Sequence, residues 1–353
     1  MALSARLRSR VALGSAAATA ALALVCARCV SEGALVAVIA DASPPPAPSD
    51  ATAIVDLGAP VDAAPGPDGE AGADAADSAA DEDADAGPVF AEAGPADASL
   101  GPFSAPTPVD AIDYPDANNT DPSMTSDGLE LYFVSDRSGN QDLWVSRRDG
   151  ADAAWGAPSA VDELNTPMPE QSPGVSFDGL TLWFSRSVMR NQPQIWVTTR
   201  TALGETWGAP TAVTELDGQG TQTSAKVDED ALLMVFVSTR SGSAQIYTTT
   251  RPNTQSSWGA PTLTMGLTPA GDVQDPFVAE YGLRLWFATT QAGGGDLYTA
   301  DRTSVTAAFA PSTPLSELNT PASEVDPALS PDARYILFAS NRSGTLQIYQ
   351  ASR

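Results

Sequence analysis

The clearest local signal in the chain is a short apolar run bounded by turn residues. Leu129-Glu130-Leu131-Tyr132-Phe133-Val134 reads as an alternating strand, with Ser126-Asp127-Gly128 before it and Asp136-Arg137-Ser138-Gly139-Asn140 after it. Asp, Ser, Asn and Gly are the residues that reach turn dihedrals at low cost, so both flanks predict tight turns. A further strand follows at Asp142-Leu143-Trp144-Val145-Ser146-Arg147, and after Trp155 comes a fourth segment holding Val161 and Leu164. A first, shorter segment precedes the whole at Asp121-Pro122. Four short strands with turn chemistry between them predict one antiparallel sheet, and no 3.6-residue period suggests helix.

The unit repeats. Trp155-Gly156-Ala157-Pro158 returns as Trp207-Gly208-Ala209-Pro210, as Trp258-Gly259-Ala260-Pro261 and, relaxed, as Phe309-Ala310-Pro311, at steps of 52, 51 and 51 residues. The Phe closing each apolar run, at Phe133, Phe184, Phe236, Phe287 and Phe338, steps by 51, 52, 51 and 51. Sheets of four strands repeated every fifty or so residues predict the blades of a β-propeller. The last unit stops after its third strand, while Phe103-Ser104-Ala105-Pro106-Thr107-Pro108-Val109 matches Phe309 to Leu315 of the unit before. The N-terminal strand should therefore complete the last blade and remove an open sheet edge. The expected fold is all-β, a five-bladed propeller over 102–353.

The wording of the units carries a resemblance. Ser330-Pro331-Asp332, Ile336-Leu337-Phe338-Ala339-Ser340-Asn341-Arg342-Ser343-Gly344 and Gln347-Ile348-Tyr349 resemble the repeat of TolB-like, WD40-like propellers, and the match extends over 119–353. Ser126-Asp127-Gly128 and Phe177-Asp178-Gly179 lack the proline, and Val227-Asp228-Glu229-Asp230 and Ala279-Glu280-Tyr281-Gly282 diverge further. The resemblance implies a non-enzymatic binding module outside the cytoplasm, meeting an envelope protein or a peptidoglycan-associated partner.

Composition divides the chain in two. All seven Trp and all seven Tyr lie beyond residue 100, so the large core-forming side chains belong to the repeat region. Before it, Arg6, Arg8 and Arg10 precede an apolar run from Val11 to Ala27, which predicts an export signal within 1–40. Cys26 leaves a lipid anchor open, with ordinary cleavage nearer Ala40 as the alternative. Residues 41–101, rich in Ala, Asp and Pro, predict a disordered linker whose like charges repel. The expected location is the periplasm, outer membrane or cell surface of a bacterium, with membrane contact only through the N-terminal anchor.

A net charge of -26 argues against nucleic acid as a partner and favours a soluble monomer. With no His, and with Cys only at 26 and 29, imidazole catalysis and thiolate metal sites in the repeat region are excluded.

Aligning the units brings Asp121, Ser172, Ser224, Asp275 and Asp326 to one position at the innermost strand, with Asn119, Glu170, Gln222, Val273 and Glu324 two residues earlier. Repeated around an axis, Asp121, Asp275 and Asp326 form a candidate oxygen-ligand site for calcium or magnesium. Asn119, Glu170, Ser172, Ser224 and Glu324 are candidate ligand-channel residues. The plainer reading is that these groups satisfy backbone amides at strand starts. No cofactor is otherwise expected, and no catalytic residue is assigned. The second functional reading is a lectin, or a glycoside hydrolase using two of these carboxylates. Arg137, Arg240 and Arg342 are expected to tie turns together, and Trp155, Trp207 and Trp258 to pack between blades.

Overall fold

A strand buried on both faces needs apolar residues at consecutive positions, and the second strand of every unit has them. In the computed structural model, which describes residues 100–189, 192–268, 272–290 and 294–353, these strands lie in the middle of five four-stranded antiparallel sheets. The outer strand β1 (Thr107–Pro108) comes first. Blade 1 holds β2 (Asn119–Met124), β3 (Glu130–Ser135), β4 (Asp142–Arg147) and β5 (Ser159–Ala160). Blade 2 holds β6 (Glu170–Val175), β7 (Thr181–Met189), β8 (Gln192–Thr199) and β9 (Thr211–Ala212). Blade 3 holds β10 (Gln222–Val227), β11 (Leu233–Ser238), β12 (Gln245–Thr250) and β13 (Thr262–Leu263). Blade 4 holds β14 (Val273–Ala279), β15 (Arg284–Thr289), β16 (Asp296–Asp301) and β17 (Thr313–Pro314). Blade 5 holds β18 (Glu324–Leu329), β19 (Tyr335–Ser340) and β20 (Gln347–Ser352), with β1 as its fourth strand.

The export-signal segment 1–40 and nearly all of the linker 41–101 lie outside the described residues, as do parts of the loops at 187–193 and 293–295. One detail of the strand reading is corrected. β3 is not amphipathic, because all six of its residues, Glu130 included, are buried. Each blade is sandwiched between two neighbours, so its middle strand has no solvent face. The cores are shared accordingly: Tyr132 and Val134 of blade 1 pack with Leu182, Phe184 and Trp207 of blade 2.

Every innermost strand is irregular at the same place. Register shifts fall between Thr120 and Ser123, Gln171 and Gly174, Thr223 and Lys226, Gln274 and Phe277, and Val325 and Ala328. Within each shift one residue is left-handed: Asp121, Ser172, Ser224, Asp275 and Asp326 have φ between 51° and 57°. Four of the five are followed by proline, Pro122, Pro173, Pro276 and Pro327, which a bulge tolerates because no ladder N–H is needed there. The bulge is what gives these five side chains their common direction.

The ring closes as the repeat predicts. β1 pairs with β20, Thr107 opposite Gln350 and Pro108 opposite Tyr349, and Ser104 N and Val109 N donate to Ser352 O and Ile348 O at 2.8 and 2.9 Å. Phe103 occupies the place that Trp155, Trp207, Trp258 and Phe309 hold in the other blades. It lies buried with Ile336, Phe338 and Tyr349, and the Arg353 guanidinium sits 4.3 Å above its ring. Val109 and Ile112 pack between blades 5 and 1 with Leu131, Phe133 and Leu337.

Burying Phe103, Val109 and Ile112 contributes on the order of 2 kcal/mol each. A chain starting at residue 116 should therefore melt far below one starting at 101 and aggregate through its bare edge. Coincident thermal midpoints for the two would refute this closure.

Candidate functional site

The five left-handed residues form a belt around the axis. Ser224 Oγ lies 3.3 Å from Ser172 Oγ and 3.4 Å from Asp275 Oδ1. Asp275 and Asp326 share a side-chain hydrogen bond, and Asp326 Oδ2 accepts from the backbone N–H of Asp121 at 3.0 Å. Asp326 thus binds the next blade's backbone, not its own. Carboxylate oxygens of Asp121, Asp275 and Asp326 come within 4.8 Å of one another.

Lys226, the only lysine in the chain, has no counterpart in the repeat that would mark it beforehand. It extends from β10 into the same place, donates from Nζ to Pro173 O and feels all three carboxylates. Gly174 makes room for it: a Cβ there would stand 2.2 Å from Ala225 O and 3.2 Å from Lys226 Cδ. A calcium ion takes six to eight oxygens. Here three carboxylates face an ammonium across a cavity of about 10 Å³, so the chain carries its own counter-ion on the axis.

Burial, reinforced by the Asp121 charge, pushes Asp275 up to about 7. The same causes, with Asp275 itself, raise Asp326. Burial lowers Lys226 to about 8 against the pull of the three carboxylates. Away from the axis, Asp228 also rises to about 7, through burial and the nearby Asp230 and Glu229.

Asn119, Glu170 and Glu324, expected beside these groups in the channel, are turned away from it. A left-handed residue two positions later breaks the alternation that would have set both on one face. Each is fully buried and bonds an arginine, Arg137 and Arg342 from the second turn and Arg186 from within β7. Arg137 Nη2 donates to Asn119 Oδ1 at 2.7 Å, Arg186 Nε to Glu170 Oε1 at 2.9 Å, and Arg342 Nη2 to Glu324 Oε1 at 3.1 Å. The same arginines reach Ile112 O, Leu164 O and Leu318 O, tying the turn to the preceding connection. Blade 3 keeps Arg240 with a buried Gln222; blade 4 has Val273 and no arginine in that turn.

A second arginine follows each third strand, and the sequence reading missed it although the spacing is regular. Arg148, Arg200, Arg251 and Arg302 lie 4.2, 4.5, 4.2 and 4.6 Å above Trp155, Trp207, Trp258 and Phe309. Their Nε atoms donate to Gly128 O, Gly179 O, Ala231 O and Gly282 O in the first turn, as Arg353 does to Ala333 O. The repeated Trp residues are thus rim anchors of the blades.

Each arginine of this second set faces the preceding blade, where the five grooves differ. Between blades 1 and 2, Arg200 Nη2 donates to Glu130 Oε2 and its Nη1 to Tyr132 OH at 3.2 Å, while Arg147 Nε takes Glu130 Oε1 at 2.8 Å. Burial alone would raise Glu130, but the two guanidiniums outweigh it and hold the carboxylate below its usual range. Leu233 in blade 3, Arg284 with Asp301 in blade 4, and Tyr335 bonded to Gln350 in blade 5 stand at the Glu130 position. Blade 2 has Thr181 opposite Thr199 instead. A cavity of about 730 Å³ opens there, lined by Thr181, Thr199, Trp183, Arg251 and Trp258 among others. That is within the range of roughly 300–1,000 Å³ typical of small-molecule sites.

These features define a five-bladed β-propeller with a tightly packed carboxylate cluster on its axis and, among the described residues, a wide groove between blades 2 and 3 beside a smaller one of about 200 Å³ between blades 1 and 2. No family model matches the chain, and no curated protein does. Among solved structures it is similar to TolB from Acinetobacter baumannii, 17% identical over 67% of this chain and 54% of that one, with a TM-score of 0.44. The chain spans about half the length of that TolB. It is also similar to an endo-arabinase from Bacteroides thetaiotaomicron, 14% identical over 70% of this chain and 96% of that one, with a TM-score of 0.52. At such identities the likeness shows the fold alone.

The axial shifts give stability a definite slope with pH. Asp275 and Asp228 hold protons in the folded state that the unfolded chain releases near pH 4, so their contribution is full below that value and disappears as pH rises through about 7; Asp326, raised by burial and by the neighbouring Asp121 and Asp275, acts in the same direction. The melting temperature should fall between pH 5 and pH 8. Asp275→Asn should flatten part of the fall, leaving the part due to Asp228 and Asp326. Lys226→Met should steepen it by stripping the carboxylates of their counter-charge. Thermal scans at both pH values check this, and identical slopes for the three proteins would contradict it.

Proposed function

We propose that the chain is a non-enzymatic binding module of the cell envelope, which meets its partner in the groove between blades 2 and 3. The observation that carries this is the contrast between the two cavities at the innermost strands, about 10 and 50 Å³, and a groove of about 730 Å³. The groove exists because one blade departs from the pattern that closes its neighbours. The N-terminal basic and apolar segment, followed by an Ala/Asp/Pro linker, supports work outside the cytoplasm, against an envelope protein or a peptidoglycan-associated component.

The hydrolase reading is less well supported. Glycoside hydrolysis needs two carboxyl groups about 5–9.5 Å apart with a sugar between them. The axial carboxylates crowd within 4.8 Å, and Glu170 and Glu324 are closed off by their arginines.

The test borrows the protein's own plug. Thr181→Glu with Thr199→Arg copies the Glu130–Arg147 pair of blade 1 into blade 2 at matching register. The double variant should melt no lower than the parent and fill the groove. Immobilised parent chain should retain an envelope component that the variant does not. Equal retention by both would place binding elsewhere, and turnover of a glycan by the parent would overturn the non-enzymatic reading.

A further inference from the structure

The groove's ligand can be read from what fills the neighbouring groove. Arg200 and Arg251 are equivalent residues held in the same way, each stacked on a Trp and each with Nε on a first-turn carbonyl. Arg200 spends its outer nitrogens on the Glu130 carboxylate and the Tyr132 hydroxyl. Arg251 gives Nη1 to Thr254 O at 3.0 Å, and among the described residues no carboxylate lies within ion-pair reach of it. Thr181 takes Glu130's place in the strand and also lines the cavity. The guanidinium is therefore fixed and part-buried in advance; Asp228 and Glu215 act on it only from beyond ion-pair distance, and the directly paired carboxylate that its sister holds is missing.

The rest of the lining limits what can bring that carboxylate. Thr181, Thr199, Thr211 and Ser256 offer hydroxyls that donate or accept, which suits a hydroxyl-rich molecule. Asp178, Glu215, Glu229 and Asp230 also border the cavity, and each is engaged by backbone N–H groups: of Leu180, of Trp258, of Glu280 and Tyr281, and of Leu232. Their charges remain, so a polyanion is repelled and a single well-placed carboxylate is tolerated only against Arg251.

Resting on the groove reading above, we infer that the groove binds a saccharide bearing one uronic-acid carboxylate, which pairs with Arg251 as Glu130 pairs with Arg200, while sugar hydroxyls meet the threonines.

Calorimetric titration of the full chain with cellobiouronic acid and with cellobiose tests this, since the two disaccharides differ only in the carboxylate. The acid should bind at least tenfold more tightly. Thr181→Glu supplies an internal carboxylate to Arg251 and should erase that preference while keeping or raising the melting temperature. Thr181→Gln, of the same size but uncharged, should keep the preference. Arg251→Lys, which loses the planar fork, should also lose it. Equal binding of acid and neutral sugar overturns the inference, as does a preference that survives Thr181→Glu. Tighter binding of N-acetyl-Ala-Glu amide than of cellobiouronic acid overturns the saccharide as the carboxylate's source. If neither sugar binds while Thr181→Glu/Thr199→Arg still abolishes envelope capture, the ligand class falls and the groove stands. If capture is also indifferent to the plug, both fall.

Discussion

A guanidinium laid over an aromatic ring, repeated five times around the molecule, is the contact on which the outer half of every blade depends. The fourth strands are only two residues long, too short for ladder hydrogen bonds to hold them. The arginine after the third strand bridges the gap. One side covers Trp or Phe at the approach to the fourth strand, and Nε is fastened to the turn between the first two strands. A desolvated stack of this kind is worth about 2 kcal/mol, and it orients a large apolar ring toward the preceding blade. A carboxylate from that blade meets the ring's backbone N–H: Glu163 for Trp207, Glu215 for Trp258 and Glu317 for Phe103. Phe103 is treated like its counterparts although it lies at the other end of the sequence.

Much of the architecture was legible because propeller blades repeat their markers. The Trp-Gly-Ala-Pro and Phe series gave blade number and closure without any knowledge of contacts. The arginine series at 148, 200, 251, 302 and 353 was equally regular, but a charged residue beside a turn reads as solvated surface until the aromatic ring beneath it is placed. The axial site was half legible. Asp121, Asp275 and Asp326 converge as their alignment implies, whereas Asn119, Glu170 and Glu324 do not, because a bulge with positive φ reverses the side-chain direction that simple alternation assigns. Lys226 stood at a position with no counterpart in the other units, where Ser123, Gly174, Phe277 and Ala328 give no hint of an axial ammonium.

The groove could not be read from composition at all. Two threonines in a strand are ordinary β-formers. Only the register, which sets Thr181 and Thr199 where Glu130 and Arg147 stand in blade 1, turns them into a missing plug. In a repeat protein the information about function lies in differences between equivalent positions, and equivalence is a three-dimensional relation. The axis shows the other side of this: equivalent positions converge into a belt, and Lys226, which has no equivalent, places one positive charge among its three carboxylates.

The seam between β1 and β20 also dictates the order in which the molecule can form. Thr107 leaves the ribosome long before Gln350, its partner, and every other strand is made in between. Blades 1 to 4 can pair locally as they emerge, but the first strand waits for blade 5, which is synthesised last. Until then the early strand has no edge to join and blade 1 has a bare face. Contacts so distant in sequence slow folding and favour a late, concerted step. The ring is therefore absent at every stage of synthesis until the final strand has arrived.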